Sequence, residues 1–263
     1  MPPSSITPSS HDSVVATLRA AGCVFAEDEA RLILAVARTP DELAGMVERR
    51  ATGVPLELVV GWAEFRGLRI VVEPGVFVPR RRTEFLVEQA LAQVPGAAVV
   101  VDLCCGSGAV GAALADALTG AVLHAADIDP AAVRCARRNV AAFDGHVHAG
   151  DLFEALPGEL RGRIDILAAN VPYVPSDEVG LLPAEAREHE PLVALDGGSD
   201  GLDVLRRVAA EAPAWLAPGG CLLVETSERQ APAAVDAFAR EGLAARVAVS
   251  EEWYANVVLG VRS

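Results

Sequence analysis

Four consecutive residues in the middle of the chain, Asn170-Val171-Pro172-Tyr173, have the chemistry to hold a planar group that bears an NH2. They follow an apolar run at residues 164–169, which is typical of a buried parallel strand, and open α/β sheets bind ligands where such strands end. The Asn170 side chain can accept and donate hydrogen bonds, the Val171 carbonyl can accept one, and the Tyr173 ring offers a flat aromatic face. We therefore predict a reaction centre here, with all four as its catalytic residues.

A glycine-rich loop is the second segment with chemical potential, and it joins a predicted strand at 97–101 to a predicted helix at 109–118. Gly106, Gly108 and Gly111 satisfy the pattern G-x-G-x-x-G. In this strand–turn–helix context, glycines let the backbone approach a ligand and let the helix pack on its strand. The pattern occurs in dinucleotide-binding oxidoreductases and in nucleoside-cofactor methyltransferases, so it leaves both NAD and S-adenosylmethionine open.

Two features favour S-adenosylmethionine over NAD. Asp102 lies at the loop entrance, where a pyrophosphate would be repelled, whereas a sulfonium and an ammonium would be attracted. The Asn170 tetrad is the second feature, because a hydride-transfer site has no use for it. The predicted cofactor-binding residues lie in this loop and at the ends of the neighbouring strands: Asp102, Leu103, Cys104, Cys105, Gly106, Gly108, Asp127, Ile128, Asp151, Leu152 and Asn170.

Two of these acidic residues have alternative interpretations. Asp127 follows the second predicted strand, where it would hold ribose hydroxyls, although it could instead be a turn residue before Asp129 and Pro130. Asp151 follows the third strand, where it could accept a hydrogen bond from the adenine amino group or cap a short helix. Both interpretations of Asp151 remain open from the sequence.

Composition excludes several classes of protein. The 263 residues carry a net charge of −14, and a negative surface of that kind repels nucleic-acid backbones, so no nucleic-acid partner is predicted. The five cysteines form no C-x-x-C pair, and no histidine spacing resembles H-E-x-x-H, so we predict neither a disulfide framework nor a metal site. No signal peptide or membrane helix is indicated, and we predict a cytoplasmic protein.

The pattern of apolar residues predicts four segments. We expect a disordered tail at residues 1–12, two or three short helices forming a small N-terminal domain at 13–52, a β-hairpin connector at 53–75, and a catalytic domain at 76–263. Strands and helices alternate in the last segment, which indicates a parallel sheet with helices on both faces. The final two strands have no helix between them, so we expect an antiparallel hairpin there.

Taken together, these motifs resemble the protein N(5)-glutamine methyltransferases, whose best-known members methylate the glutamine of a Gly-Gly-Gln motif in peptide-chain release factors. The resemblance runs from about Gly53 to the C-terminus, and its most specific part is the run at 190–202. The segments that carry it are residues 78–84, 102–111, Asp127, 170–173 and 190–202, which read VPRRRTE, DLCCGSGAVG, D, NVPY and EPLVALDGGSDGL.

The resemblance implies an α/β, doubly wound, seven-stranded S-adenosylmethionine-dependent methyltransferase (Rossmann-like) sheet with a C-terminal antiparallel hairpin and a small helical N-terminal domain. The implied reaction is N-methylation of a glutamine side-chain amide in a protein, such as a release factor. An amide nitrogen is a poor nucleophile, but the Asn170 side-chain oxygen and the Val171 carbonyl could each accept one N–H and so hold it in line with the methyl group. Tyr173 would stack on the amide plane.

Three departures from the family pattern affect these expectations. Val171 replaces the first proline of the usual N-P-P-Y, Arg81 and Arg82 replace a Pro-Glu pair near the entrance, and the N-terminal segment is shorter than the family's five-helix domain. The carbonyl of Val171 remains available, and Pro172 restricts Val171 to an extended backbone. Alternative functions are therefore N-methylation of a small-molecule amide or amine, or a cofactor-binding scaffold with little catalysis.

Overall fold

The computed structural model describes residues 8–94, 96 and 98–263. The helices are α1 (Pro8–Ala20), α2 (Ala26–Val36), α3 (Pro40–Ala51), α4 (Leu56–Val60), α5 (Glu84–Leu91), α6 (Ala109–Ala117), α7 (Pro130–Val140), α8 (Ala184–His189), α9 (Asp203–Trp215) and α10 (Ala231–Arg240). The strands are β1 (Trp62–Phe65), β2 (Leu68–Val71), β3 (Val99–Leu103), β4 (Val122–Asp127), β5 (His146–Ala149), β6 (Ile164–Ala169), β7 (Leu216–Thr226), β8 (Leu243–Ser250) and β9 (Ala255–Arg262). Of the described helices, none is long and apolar enough to cross a membrane.

Within the described part of the chain, seven strands form one sheet in the order β5-β4-β3-β6-β7-β9-β8. Strands β3 to β7 pair in parallel, whereas β9 runs antiparallel to both β7 and β8. The chain moves outward from β3 to β5 and then returns to β6, so the strand order reverses between β3 and β6. Such a switch point leaves a crevice at the carboxyl ends of the strands. The predicted fold class and the antiparallel end are confirmed.

Two apolar cores cover the two faces of this sheet. One contains Phe153, Trp215 and Phe238, while the other contains residues of α5 and α6 such as Leu86 and Leu114. The central strand β6 contributes to both cores, because its alternating side chains face opposite sides of the sheet. This double burial explains why its sequence is a continuous apolar run.

The N-terminal helices α1 to α4 surround a core of their own, which includes Leu18 and Ile33. Thr39 caps α3 by accepting a hydrogen bond from the Glu42 backbone amide. At the other end of α3, residue Arg50 donates to the buried Glu29 carboxylate over 2.6 Å.

The same Arg50 guanidinium contacts α8, because its Nη1 atom donates to Glu185 over 2.9 Å. Glu185 lines the large cleft described below. The N-terminal helices are thus attached to one wall of that cleft.

Some predicted boundaries are wrong. Residues 8–12 belong to α1, so this part of the predicted disordered tail is helical, while residues 1–7 lie outside the described residues. The predicted connector at 53–75 contains the helix α4 before its hairpin, because Val59 and Val60 are buried against neighbouring helices and Leu58 packs against Ala63 and Val72 of the hairpin region. The strand predicted at 97–101 continues to Leu103 and is described from Val99 onward, while residue 97 lies outside the described residues. The division into domains stays a prediction.

Three histidines form a cluster at the β4–β5 edge of the sheet. His124 pairs in register with His146, and its Nδ1 atom lies 3.0 Å from Nε2 of His148. Burial, followed by the neighbouring His148 and His146, lowers the pKa of His124 to about 4, although Glu159 acts in the opposite direction. The folded protein therefore favours the neutral ring.

This cluster predicts a loss of stability in acid. Between pH 6.5 and about 4, His124 is protonated in the unfolded state but neutral in the folded state. The free energy of unfolding therefore falls as the pH falls. His124→Gln should remove about 2 kcal/mol of this pH-dependent loss. Urea unfolding at pH 7 and pH 4.5 measures it, with His189→Gln on α8 as the control. Identical pH dependence in the wild type and in H124Q would contradict the prediction.

Candidate active site

A cleft of about 910 Å³ opens at the carboxyl ends of the central strands. Most of the predicted site residues line it: Asp102, Cys104, Cys105, Gly106, Asp127, Ile128, Asp151, Leu152, Asn170, Val171, Pro172 and Tyr173. Leu103 does not, because its side chain is fully buried in the core. Gly108 does not either, since it faces Ala136 and Val140 of α7. The structure thus places the loop and the tetrad in one cavity.

The glycine loop turns sharply between β3 and α6, with positive φ angles at Cys104, Gly106 and Gly108. Its backbone is held from a neighbouring strand, because the Gly106 amide donates to Asp127 Oδ2 over 2.8 Å. At Gly111 a Cβ atom would lie 3.1 Å from the Asp102 carboxylate, so glycine here lets α6 approach the end of β3. The loop therefore presents its backbone to the cleft in a fixed conformation.

Asp102 is the most deeply buried acid of the cleft, with 1% of its surface exposed. Its Oδ2 atom accepts one hydrogen bond, from the Gly111 amide over 2.8 Å. Burial raises its pKa to about 8, and the nearby Asp127 adds to the increase. A cation bound beside it would restore the charged form, so this carboxyl is suited to a positively charged ligand.

Asp127 and Asp151 differ in how they are held. Asp127 accepts from the amides of Gly106 and Asp129, and burial raises its pKa. It therefore both stabilises the turn, as one interpretation held, and lines the cleft. Asp151 stands at the N-cap position of a short 3₁₀ helix at Leu152–Ala155, as one interpretation held, but its side chain makes no capping hydrogen bond and pairs instead with Arg207 at 2.7 Å.

Asn170 provides the clearest sign of a ligand site. It lies at the end of β6, where its Oδ1 atom is buried without a hydrogen-bond partner among the described residues. A buried acceptor without a partner costs roughly 1–3 kcal/mol. That cost is removed when a ligand donates an N–H to it. The atom left without a partner is the oxygen that the sequence predicts as the amide acceptor.

A glycine-rich segment, residues 195–201, forms a bed beneath the tetrad. Val174 donates to the Leu195 carbonyl over 3.0 Å, and the Gly197 amide donates back to the Val174 carbonyl over 2.8 Å. Gly201 adopts φ +75°, and a Cβ atom there would overlap both the Tyr173 carbonyl and the Gln230 side chain. Gln230 Nε2 in turn donates to the Tyr173 carbonyl over 2.8 Å. The backbone of the tetrad is therefore fixed from outside.

Tyr173 belongs to a network of three side chains at the other end of the cleft. Its hydroxyl donates to Glu225 Oε1 over 3.1 Å, and Nε of Arg82 donates to the same oxygen over 2.9 Å. Arg82 also donates to the Tyr173 hydroxyl. Burial and the Glu225 charge raise the pKa of Tyr173, so its hydroxyl stays protonated.

Sequence reasoning missed Glu225, Gln230 and Asn139. Asn139 on α7 donates to the Ser107 carbonyl over 2.8 Å and so joins the glycine loop to β2, whose Val71 it also contacts. None of the three lies in a recognised motif. The sequence signalled two of them only by their positions: Glu225 follows the apolar part of a strand, and Gln230 precedes a helix.

Comparison with known proteins identifies the family. The chain is 43% identical over 208 residues to the release factor glutamine methyltransferase of Geobacter sulfurreducens, an alignment that covers 77% of this chain and 72% of that protein. This chain belongs to the release factor glutamine methyltransferase family. Residues 67–181 also match the Methyltransferase small domain family. The methyl donor of this methyltransferase is S-adenosyl-L-methionine.

One further relative shares the sequence, and one solved structure shares the fold. A 4-amino-L-phenylalanine/4-methylamino-L-phenylalanine methyltransferase of Streptomyces pristinaespiralis is 38% identical over 193 residues, which cover 70% of this chain and 65% of that protein. A solved methyltransferase structure from Pyrococcus furiosus has a TM-score of 0.54 at 17% identity, over 75% of this chain and 90% of that one. The structural likeness confirms the methyltransferase fold alone.

The glycine bed predicts a substitution that changes activity from a distance. In Gly201→Ala the new Cβ must displace the Tyr173 carbonyl or Gln230, which shifts the tetrad. We expect methyl transfer to fall by about tenfold to hundredfold, because small misplacements of reacting groups are costly. Steady-state kinetics measures it, with Gly180→Ala as the control, since nothing lies within 4 Å of a Cβ at Gly180. Equal rates for the two variants would contradict this role of the bed.

Proposed function

We propose that this protein transfers a methyl group from S-adenosylmethionine to the side-chain amide nitrogen of a glutamine in a protein, with a peptide-chain release factor as the acceptor. The observation that carries this proposal is the buried, unpartnered Oδ1 atom of Asn170 at the end of β6. The name of the Geobacter sulfurreducens relative supports the acceptor. A cytoplasmic place of action agrees with the composition.

The residues of the glycine-loop end of the cleft suit the cofactor. Asp102 would attract its positive charge, the Asp127 carboxylate would accept from ribose hydroxyls, and Asp151 would accept from the adenine amino group. S-adenosylmethionine supplies a methyl group made electrophilic by its sulfonium sulfur. This assignment rests on the positions of the three acids, which all line the same cavity.

The residues of the tetrad would orient the acceptor. The Asn170 Oδ1 atom and the Val171 carbonyl each accept one N–H of the amide, which keeps its nitrogen facing the methyl group and favours loss of its planarity in the transition state. Tyr173, fixed by Arg82 and Glu225, would form a flat wall for the amide plane. No strong general base is required before transfer, because transfer gives the nitrogen a positive charge and makes its N–H acidic. The proton then passes to water.

A small-molecule amine or amide acceptor is the second candidate, and the Streptomyces pristinaespiralis relative favours it. That protein is named for an aromatic amine substrate, and its similarity to this chain extends over 70% of this chain. The Asn170 oxygen could accept an N–H from an amine as well as from an amide. The two candidates differ in the size of the acceptor, so a direct assay separates them.

The first prediction concerns the reaction. Incubation with labelled S-adenosylmethionine and a release factor should place one methyl group on a glutamine of the factor, as read by intact mass and peptide mapping. Asn170→Ala should lower this rate by roughly a hundredfold or more, because it removes an acceptor that orients the nitrogen. Label on a small amine or amide with none on the factor would overturn the protein acceptor. An unchanged rate in N170A would contradict the role of Asn170, whereas no methyl transfer by the wild type to any acceptor would favour the scaffold alternative.

The second prediction concerns the cofactor. Asp102→Asn should weaken S-adenosylmethionine binding by about tenfold, because an ionic partner of the ligand is lost. With a pKa of about 8 in the free protein, Asp102 becomes charged as the pH rises, so binding to the wild type should gain relative to D102N between pH 7 and pH 9. The titration of the ligand itself cancels in this comparison. Calorimetry measures both, with the exposed Asp116→Asn on α6 as the control.

A further inference from the structure

Buried polar atoms without partners cluster in the cleft. Among the described residues, six buried side-chain atoms lack a hydrogen-bond partner, and the four that belong to cleft-lining residues are Thr83 Oγ1, Asn170 Oδ1, Glu190 Oε2 and Glu225 Oε2. Three of these four are amide or carboxylate oxygens, which accept hydrogen bonds when the carboxylates are ionised. The cleft is therefore supplied with acceptors in excess, and it is suited to a ligand with several N–H donors.

Glu225 stands next to Asn170 across the sheet. Ala169 of β6 is paired in register with Val224 of β7, so Asn170 and Glu225 are the next residues on two adjacent parallel strands. Neighbouring strands lie about 5 Å apart, which places the two side chains within the span of one peptide-sized ligand. Only 2% of the surface of Glu225 is exposed.

The two oxygens of the Glu225 carboxylate have different surroundings. Oε1 accepts from both Arg82 Nε and the Tyr173 hydroxyl, which fixes the plane of the carboxylate. Oε2 is buried and has no partner among the described residues. Glu225 thus keeps one carboxylate oxygen, beside the amide site, that can still accept a hydrogen bond.

We propose that Glu225 Oε2 is a second binding site for the methyl acceptor, which takes a backbone N–H of the peptide that carries the reactive glutamine. Arg82 is the positioning residue of this site, since it holds the carboxylate without touching the acceptor. The inference rests on the proposed function, because it names the second group that an acceptor bound at Asn170 presents.

The charges around Glu225 favour a neutral N–H over an ammonium. Arg82 neutralises Glu225 at 2.9 Å, so the pair has no net charge to offer a cation, and an ammonium would be repelled by the guanidinium. A peptide N–H needs only the open acceptor. Arg82 stands where the family pattern has glutamate, so the positive charge beside Glu225 is a departure from that pattern.

Two small probes separate the two binding sites on the S-adenosylhomocysteine-loaded protein. Butanamide presents a carboxamide alone, whereas N-acetylglutamine N-methylamide presents the same carboxamide and two backbone N–H groups. Affinities are measured by NMR titration. The wild type should bind the peptide-like probe about tenfold more tightly than butanamide, which is the effect of one hydrogen bond to a charged group.

Glu225→Gln should abolish this preference. Its amide oxygen must face the donors Arg82 and Tyr173, so its NH2 group would meet the N–H of the probe. Arg82→Gln should also reduce the preference, and Arg82→Lys should retain part of it. Arg81→Gln is the matched control, since the Arg81 side chain is largely exposed and its ion pair with Glu64 is long, at 4.0 Å. S-adenosylhomocysteine should bind equally to all four variants, which shows that they are folded. Because Arg82 and Glu225 also fix Tyr173, the preference is measured in each variant as the ratio of the affinities of the two probes.

The outcomes distinguish this inference from the proposed function. If the wild type binds both probes equally, or if E225Q keeps the preference, the second site is overturned while the amide site at Asn170 stands. If the wild type binds neither probe, the proposed function fails, and the second site fails with it. A preference that E225Q and R82Q lose and R81Q keeps supports Glu225 as the site and Arg82 as its positioning residue.

Discussion

The orientation of the Asn170–Tyr173 backbone depends on hydrogen bonds with two later parts of the chain. Gln230 donates to the Tyr173 carbonyl, and Val174 exchanges hydrogen bonds with Leu195 and Gly197. These contacts require close approach, which is why glycine occupies position 201 at φ +75°. A tetrad that contains Val171 where the family has proline therefore retains a defined shape, because much of its rigidity comes from the surrounding chain.

The two ends of the cleft have different electrostatic character. At the glycine loop, Asp102 is buried and Asp127 is half-buried, and the loss of solvent raises the pKa of each. At the tetrad, Glu225 is neutralised by Arg82 and bonded to Tyr173. A cationic ligand is thus favoured at the first end, and a neutral group rich in N–H donors is favoured at the second. This separation suits a charged methyl donor and an uncharged amide acceptor.

The structure also connects the cleft to the N-terminal helices and to the β1–β2 hairpin, which contribute few residues to its lining. Arg50 joins α3 to Glu185 on the cleft wall, and Asn139 joins the glycine loop to the β1–β2 hairpin. Loss of the Asn139 side chain would remove the donor of the half-buried hydrogen bond to the Ser107 carbonyl, and so would loosen the glycine loop. The N-terminal helices and the hairpin therefore contribute to the shape of the site without contributing residues to its chemistry.

Local patterns in the sequence determined the class of fold, the strand that ends at Asn170, the glycine loop and the acids Asp102 and Asp127, because periodicity, glycine positions and strand ends are properties of short segments. They did not reveal the helix at Leu56–Val60, whose burial depends on neighbouring helices, or the helical residues 8–12. The partners of Arg82, Glu225 and Gln230 were decided by tertiary structure alone. Their contacts join residues 52 to 143 positions apart, and no local pattern encodes which distant side chains a folded sheet brings together.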